Sequence, residues 1–184
     1  MIRSLVSVLI CLTLASAWCA KIPSTRRLDS AWKRYANDDL GYCVSYPSRW
    51  LRGEAFEGAG MYFETGTKKY GRPAGEMDIS AFSDLKPVDY LETHLEGLKK
   101  FERAQNLKVL EKREMPLLGT VALFTKDTYF DPQDRTDWVD EIVLAKYHGV
   151  LYRLELECRA DQVSRFEPLF AQFVQSFRID CGSR

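Results

Sequence analysis

Two strand-like runs, 138–147 and 150–158, are separated only by His148-Gly149. A two-residue connector ending in glycine supplies the positive backbone angles of a tight hairpin, so the two runs are expected side by side and antiparallel. In the second run Tyr152, Leu154, Leu156 and Cys158 share one face, and Arg153, Glu155 and Glu157 share the other. That charged face is expected to meet water or a loosely covered layer. Residues 107–115 and 119–130 read as further strands upstream, which makes a run of four. Three more precede them. In 41–46 the residues Tyr42, Val44 and Tyr46 alternate with Cys43 and Ser45 until Pro47 removes a backbone donor, and Trp50 follows at the core edge. Runs 61–65 and 77–83 read as a long hairpin whose glycine- and lysine-rich connection is a solvated loop.

Two helices are expected. The first opens at Lys86-Pro87, with Asp84 as its cap and Val88, Leu91, Leu95, Leu98 and Phe101 as the apolar stripe. The second covers about 162–177, where Val163, Phe166, Phe170, Phe173, Val174 and Phe177 recur at helical spacing. Ser164 and Glu167 have capping-box spacing, and Pro168 places the regular part from about Ser164.

The amino terminus reads as an export leader over 1–17: Arg3, an apolar run over 5–14, then Ala15-Ser16-Ala17. Its apolar run is about half of the ~20 residues that cross a bilayer as a helix, so no stable membrane span is expected once the leader is removed. Trp18 fills the position where a lipoprotein needs a small residue, which argues against lipidation at Cys19 and for a secreted or periplasmic product. Residues 18–39 read as a flexible arm, with a short helix at 31–35 as the alternative, and 40–181 as a single domain. The 26 basic residues against 26 acidic ones leave no basic excess for nucleic acid.

Without Cys11 of the leader, Cys19, Cys43, Cys158 and Cys181 remain for an oxidising compartment. A helix of ~15 residues between Cys158 and Cys181 would hold them ~22 Å apart, far beyond the ~6 Å of bridged Cα atoms. The chain returns towards the sheet after Phe177, so Cys43 with Cys181 is the expected bridge, with Cys158 a buried thiol.

Chemistry is sparse. The two histidines, His94 in the first helix and His148 in the hairpin turn, read as structural, and no nucleophile elbow, paired zinc-ligand histidines or phosphate-cradling glycine loop is present. Asp127, Asp131, Asp134, Asp137, Asp140 and Glu141 cluster around one hairpin, but without the spacing of a calcium loop they read as a solvated tip. No catalytic, cofactor or metal residue is assigned. The loops 66–73 and 131–138 are the recognition candidates, through Lys68, Lys69, Tyr70, Arg72, Asp131, Asp134, Arg135 and Trp138. Trp138 is either an exposed anchor or a strand-end core residue.

The order Tyr42-x-Val44-x-Tyr46-Pro47-x-x-Trp50, a helix bearing Tyr90-Leu91, the hairpin strand Gly149-Val-Leu-Tyr152-x-Leu154 and a last helix ending Gln175-Ser-Phe177 resembles the PsbP-like family over residues 40–178. That family includes extrinsic photosystem II subunits, a nuclear-import factor that binds the GTPase Ran, and exported bacterial domains. The resemblance implies an α+β fold: an antiparallel sheet of six or seven strands with helices on its faces, an α/β/α sandwich. It transfers no site residue. The function expected is an exported, non-catalytic binding or assembly-assisting module for a protein or small ligand, with a secreted hydrolase of dispersed site or a hydrophobic-ligand carrier as alternatives.

Overall fold

The computed structural model describes residues 31–55, 59–66, 68–69, 71–100 and 104–181. The expected leader, the arm as far as residue 30, Cys19, Tyr70 and Phe101 lie outside them. In chain order the elements are β1 (Trp32–Asn37), β2 (Tyr42–Pro47), β3 (Leu51–Glu54), β4 (Ala59–Glu64), β5 (Lys68–Lys69), β6 (Arg72–Pro73) and β7 (Gly75–Ser83). Helix α1 (Pro87–Lys100) follows, then β8 (Gln105–Leu117), β9 (Thr120–Asp131), β10 (Thr136–Tyr147) and β11 (Val150–Arg159). A 3-10 turn, Ala160–Gln162, leads into α2 (Val163–Ser176) and β12 (Arg178–Ile179).

Seven strands form one sheet in the order β3-β4-β7-β11-β10-β9-β8, and every neighbouring pair is antiparallel. His148 (φ 47°) and Gly149 (φ 86°) both take the left-handed conformation that a two-residue hairpin turn requires, so β10 and β11 pair without a bulge. Leu118 (φ 54°) and Gly119 (φ 71°) repeat the device between β8 and β9. Because β7 pairs with β11 while β8 is the opposite edge, the β7-to-β8 connection must cross the face of three strands. Helix α1 is that crossing.

The main core lies on the other face. Phe63, Met77, Ile79, Val143, Leu154 and Leu156 pack there against Phe166, Phe170, Phe173 and Val174 of α2 and against Tyr42, Val44 and Tyr46 of β2. Strand β2 sits in a second sheet, β1-β2-β12. Under α1 the packing is split in two: Tyr90 and Leu91 meet Ile142, Leu144 and Leu151, whereas Leu98 meets Tyr129 and Trp138.

Several expectations change. Residues 32–37 are strand rather than arm or helix, paired from Trp32↔Pro47 to Asn37↔Tyr42. Their side chains are at most half-buried, so backbone pairing with β2 holds them and no apolar pattern announces it. Strand β3 escaped notice for the same reason. In α1, Asp84 does not cap: it has φ 60°, and the carbonyl of Lys86 accepts the first helical hydrogen bond, from Tyr90 N at 3.0 Å. The buried stripe is Tyr90, Leu91 and Leu98, and Val88 is 50% exposed. The capping box of α2 does not form either, since Gln162 precedes the helix without a side-chain cap and Glu167 is engaged by Lys126. Pro168 lies inside the helix.

Cys43 and Cys181 are bonded, with Cα atoms 5.8 Å apart and a sequence separation of 138. Closing so long a loop restricts the unfolded chain, so Cys43→Ala/Cys181→Ala is expected to lose about 2 to 4 kcal/mol in denaturant titration. Non-reducing peptide mapping tests the linkage itself. Cys158 is fully buried against the main core, and burial, followed by the charges of Glu141 and Asp140, pushes its thiol up to about 12. Only a thiolate alkylates readily, so iodoacetamide at pH 8 should leave the Cys158 peptide unmodified in native protein and label it in urea.

Candidate functional site

The face covered by α1 is polar along its middle, and the strand register explains why. Glu64 lies opposite Glu76, Glu76 opposite Glu157, Glu157 opposite Asp140, and Asp140 opposite Asp127. Residues directly opposite in a sheet share a face, so these five carboxylates form one row across β4, β7, β11, β10 and β9, stepping about 4.8 Å per strand. The next row adds Asp78 opposite Glu155. Like charges set side by side repel, and the chain answers with a few cations. Lys68 Nζ stands 3.1 Å from Glu64, and Arg72 pairs with Glu157. Arg153, 5% exposed, pairs with Asp78, donates to Tyr90 Oη and holds Glu155 at 3.2 Å. Burial disfavours its charge, but Asp78 and Glu155 outweigh that and keep the guanidinium protonated.

A cavity of about 270 Å³ lies over these rows, lined by Tyr62, Glu76, Asp78, His94, Asp140, Arg153, Glu155 and Glu157, with Ala55 and Leu98 at its apolar margin. His94 reaches in from α1 between the two apolar contacts of that helix. Its Nε2 is 3.6 Å from Asp140 Oδ2, and one donor atom from each of His94, Asp140 and Glu155 lies within 4.8 Å of the others. Burial alone would lower the imidazole pKa, yet Asp140, Glu155 and Asp127 outweigh it and push it up to about 9. The acids move the same way. Burial and then the charge of Glu157 raise Glu76 to about 8, and burial raises Asp127 to about 6 and Asp140 well above the carboxylate range, with His94 opposing both.

The acidic hairpin is therefore no solvated tip. Asp127, Asp131, Asp134, Asp140 and Glu141 are all buried, and only Asp137 of that set is exposed. Asp131 accepts from Arg72 at 2.8 Å and from the backbone N–H of Gln133 at 2.7 Å. Asp134 accepts from Trp138 Nε1 at 3.2 Å, and Glu141 faces the opposite side of the sheet, 2.9 Å from Lys126 Nζ. Trp138 is 1% exposed, a core residue and not a surface anchor.

The two expected recognition loops meet. Arg72, in the ribbon β5-β6, spans Asp131 and Glu157, and its guanidinium carbon lies 4.1 Å over the Trp138 ring. Tyr129 Oη donates to the same Glu157 carboxylate at 2.6 Å. Arg72 is thus an anchor between loops and no part of a solvated connection. Lys68 and Arg135 remain exposed at this end. His148 stays in its turn, stacked on Tyr147 at 4.1 Å. Sequence reading missed the carboxylate row, whose one visible trace was the alternation Arg153, Glu155, Glu157.

No family model and no curated protein matches this sequence. Among solved structures, the solution structure of cyanobacterial PsbP (CyanoP) from Synechocystis sp. PCC 6803 is similar over 81% of this chain and 92% of its own, with TM-score 0.62 and 13% identity. The chain has a PsbP-like fold. The same PsbP-like arrangement is similar to PA94 from Pseudomonas aeruginosa, a protein of unknown function, over 79% of this chain and 94% of that one, with TM-score 0.51 and 16% identity. The antiparallel seven-stranded sheet with α1 and α2 on opposite faces is the α+β sandwich expected of a PsbP-like chain. No helix among the described residues is long and apolar enough to cross a membrane.

Proposed function

We propose that this protein is an exported, non-catalytic binding module that recognises a protein ligand at the sheet end where the β5-β6 ribbon meets the β9-β10 hairpin. The observation that carries the reading is Arg72, which ties the two loops into one surface through Asp131, Glu157 and Trp138. A surface fixed before binding loses less entropy on association than two independent loops would. Lys68 and Arg135 are the exposed cations it offers. Affinity capture from the native extracellular or periplasmic fraction should recover a protein with the wild-type chain and lose it with Lys68→Glu/Arg135→Glu. Equal recovery by the two would reject this surface.

One observation favours the alternative hydrolase: His94 and Asp140 share a cavity. Against it, the described residues lining that cavity include no serine, threonine or cysteine to act as nucleophile. Turnover of a p-nitrophenyl ester that disappears in His94→Gln would establish hydrolysis. The apolar groove beside α2, lined by Met115, Phe124, Val143, Phe170 and Val174, is open rather than enclosed and gives little to a carrier reading.

A further inference from the structure

Asp127 is fully buried, and neither of its carboxylate oxygens has a hydrogen-bond partner among the described residues. Asp140, its neighbour across the strands, is 2% exposed, and its Oδ1 is equally unpartnered. Burying a carboxylate without donors is costly, and folded chains rarely keep two side by side for packing alone. On the same face Glu64, Glu76, Asp78, Asp131, Glu155 and Glu157 bring these acids to eight, against Lys68, Arg72, Arg153, Arg159 and the imidazole of His94. Asp140 and Glu155 stand with His94 in the cavity, and Asp127 lies opposite Asp140 on the adjacent strand.

We propose that this cavity binds one divalent transition-metal cation of the zinc type, held by His94, Asp140 and Glu155, with Asp127 adding a further negative charge from the adjacent strand. One imidazole nitrogen with carboxylate oxygens is a donor set that zinc accepts, whereas calcium prefers oxygen alone. A metal about 2.1 Å from each donor spaces the donors by about 3.4 Å, so closing the present 4.8 Å spread needs side-chain rotations of about 1 Å and no movement of the sheet. Two ligands stand on neighbouring strands of a paired register and the third on a packed helix, a rigid support for such a centre. The proposal is independent of the loop surface above: partner capture can fail while metal binds, and the reverse.

The test is calorimetric titration of the chelator-treated chain with zinc chloride, with calcium chloride and spermidine in parallel cells. Zinc should bind one per chain and raise Tm by about 5 to 10 °C at a hundredfold excess over Kd. His94→Gln and Glu155→Gln should each weaken it at least about tenfold, while Glu92→Gln, an exposed acid on the same helix, leaves it unchanged. Circular dichroism of each variant establishes that it is folded. Zinc binding that is absent, or indifferent to His94→Gln in a folded variant, would overturn the proposal. So would calcium or spermidine binding more tightly than zinc.

Discussion

Replacing Arg153 with leucine is expected to cost about 3 to 5 kcal/mol and to lower Tm by roughly 10 °C. The side chain is 5% exposed and joins β11 to β7 through Asp78, to its own strand through Glu155 and to α1 through Tyr90. Leucine fills comparable space but removes the guanidinium that the two acids share, in a face already overloaded with negative charge. The double variant Arg153→Leu/Asp78→Leu separates the causes, because removing both members of a buried pair is far milder than removing one. It should recover most of the loss in urea titration. A single variant within 1 kcal/mol of wild type, a threshold of order one ordinary hydrogen bond, would mean that the α1 face is wet enough to solvate Asp78 directly.

The second large effect belongs to the opposite face. Phe170 is 3% exposed in α2, with its ring centroid 6.3 Å from that of Phe173, inside the cluster that joins both sheets. Truncation to alanine removes the ring and leaves a cavity, so Phe170→Ala should lose about 3 to 5 kcal/mol. A Tm within a degree or two of wild type would mean that α2 does not pack on the sheet as described.

These two sites mark what could be read in advance. The phenylalanine stripe of α2 and the hairpin at His148-Gly149 were legible because each is local: helical spacing in one, a turn with two positive φ angles in the other. The PsbP-like order of elements followed from them. The rotation of α1 was not legible, since Val88 and Tyr90 both suit an apolar stripe and the sheet beneath decides between them. Strand β1 carries no alternation to read, being held by β2. The carboxylate row is a property of register: Glu76 and Glu157 are 81 positions apart, 157 minus 76, and become neighbours only when β7 pairs with β11. Clustered aspartates look solvated in a linear reading, and it took the crossing of α1 over β11, β10 and β9 to bury Asp127 and Asp140.

The central claim is that acids from adjacent strands converge beneath α1 on a point marked by His94, where a dication binds. Paramagnetic broadening of amide NMR signals by substoichiometric manganese chloride, a spectroscopic stand-in for zinc, reads that point directly. The account predicts early loss of the signals of His94, Asp127, Asp140 and Glu155, before those of exposed acids such as Asp39 and Glu114. Broadening that begins at the exposed acids, or spreads evenly over the surface, would contradict it.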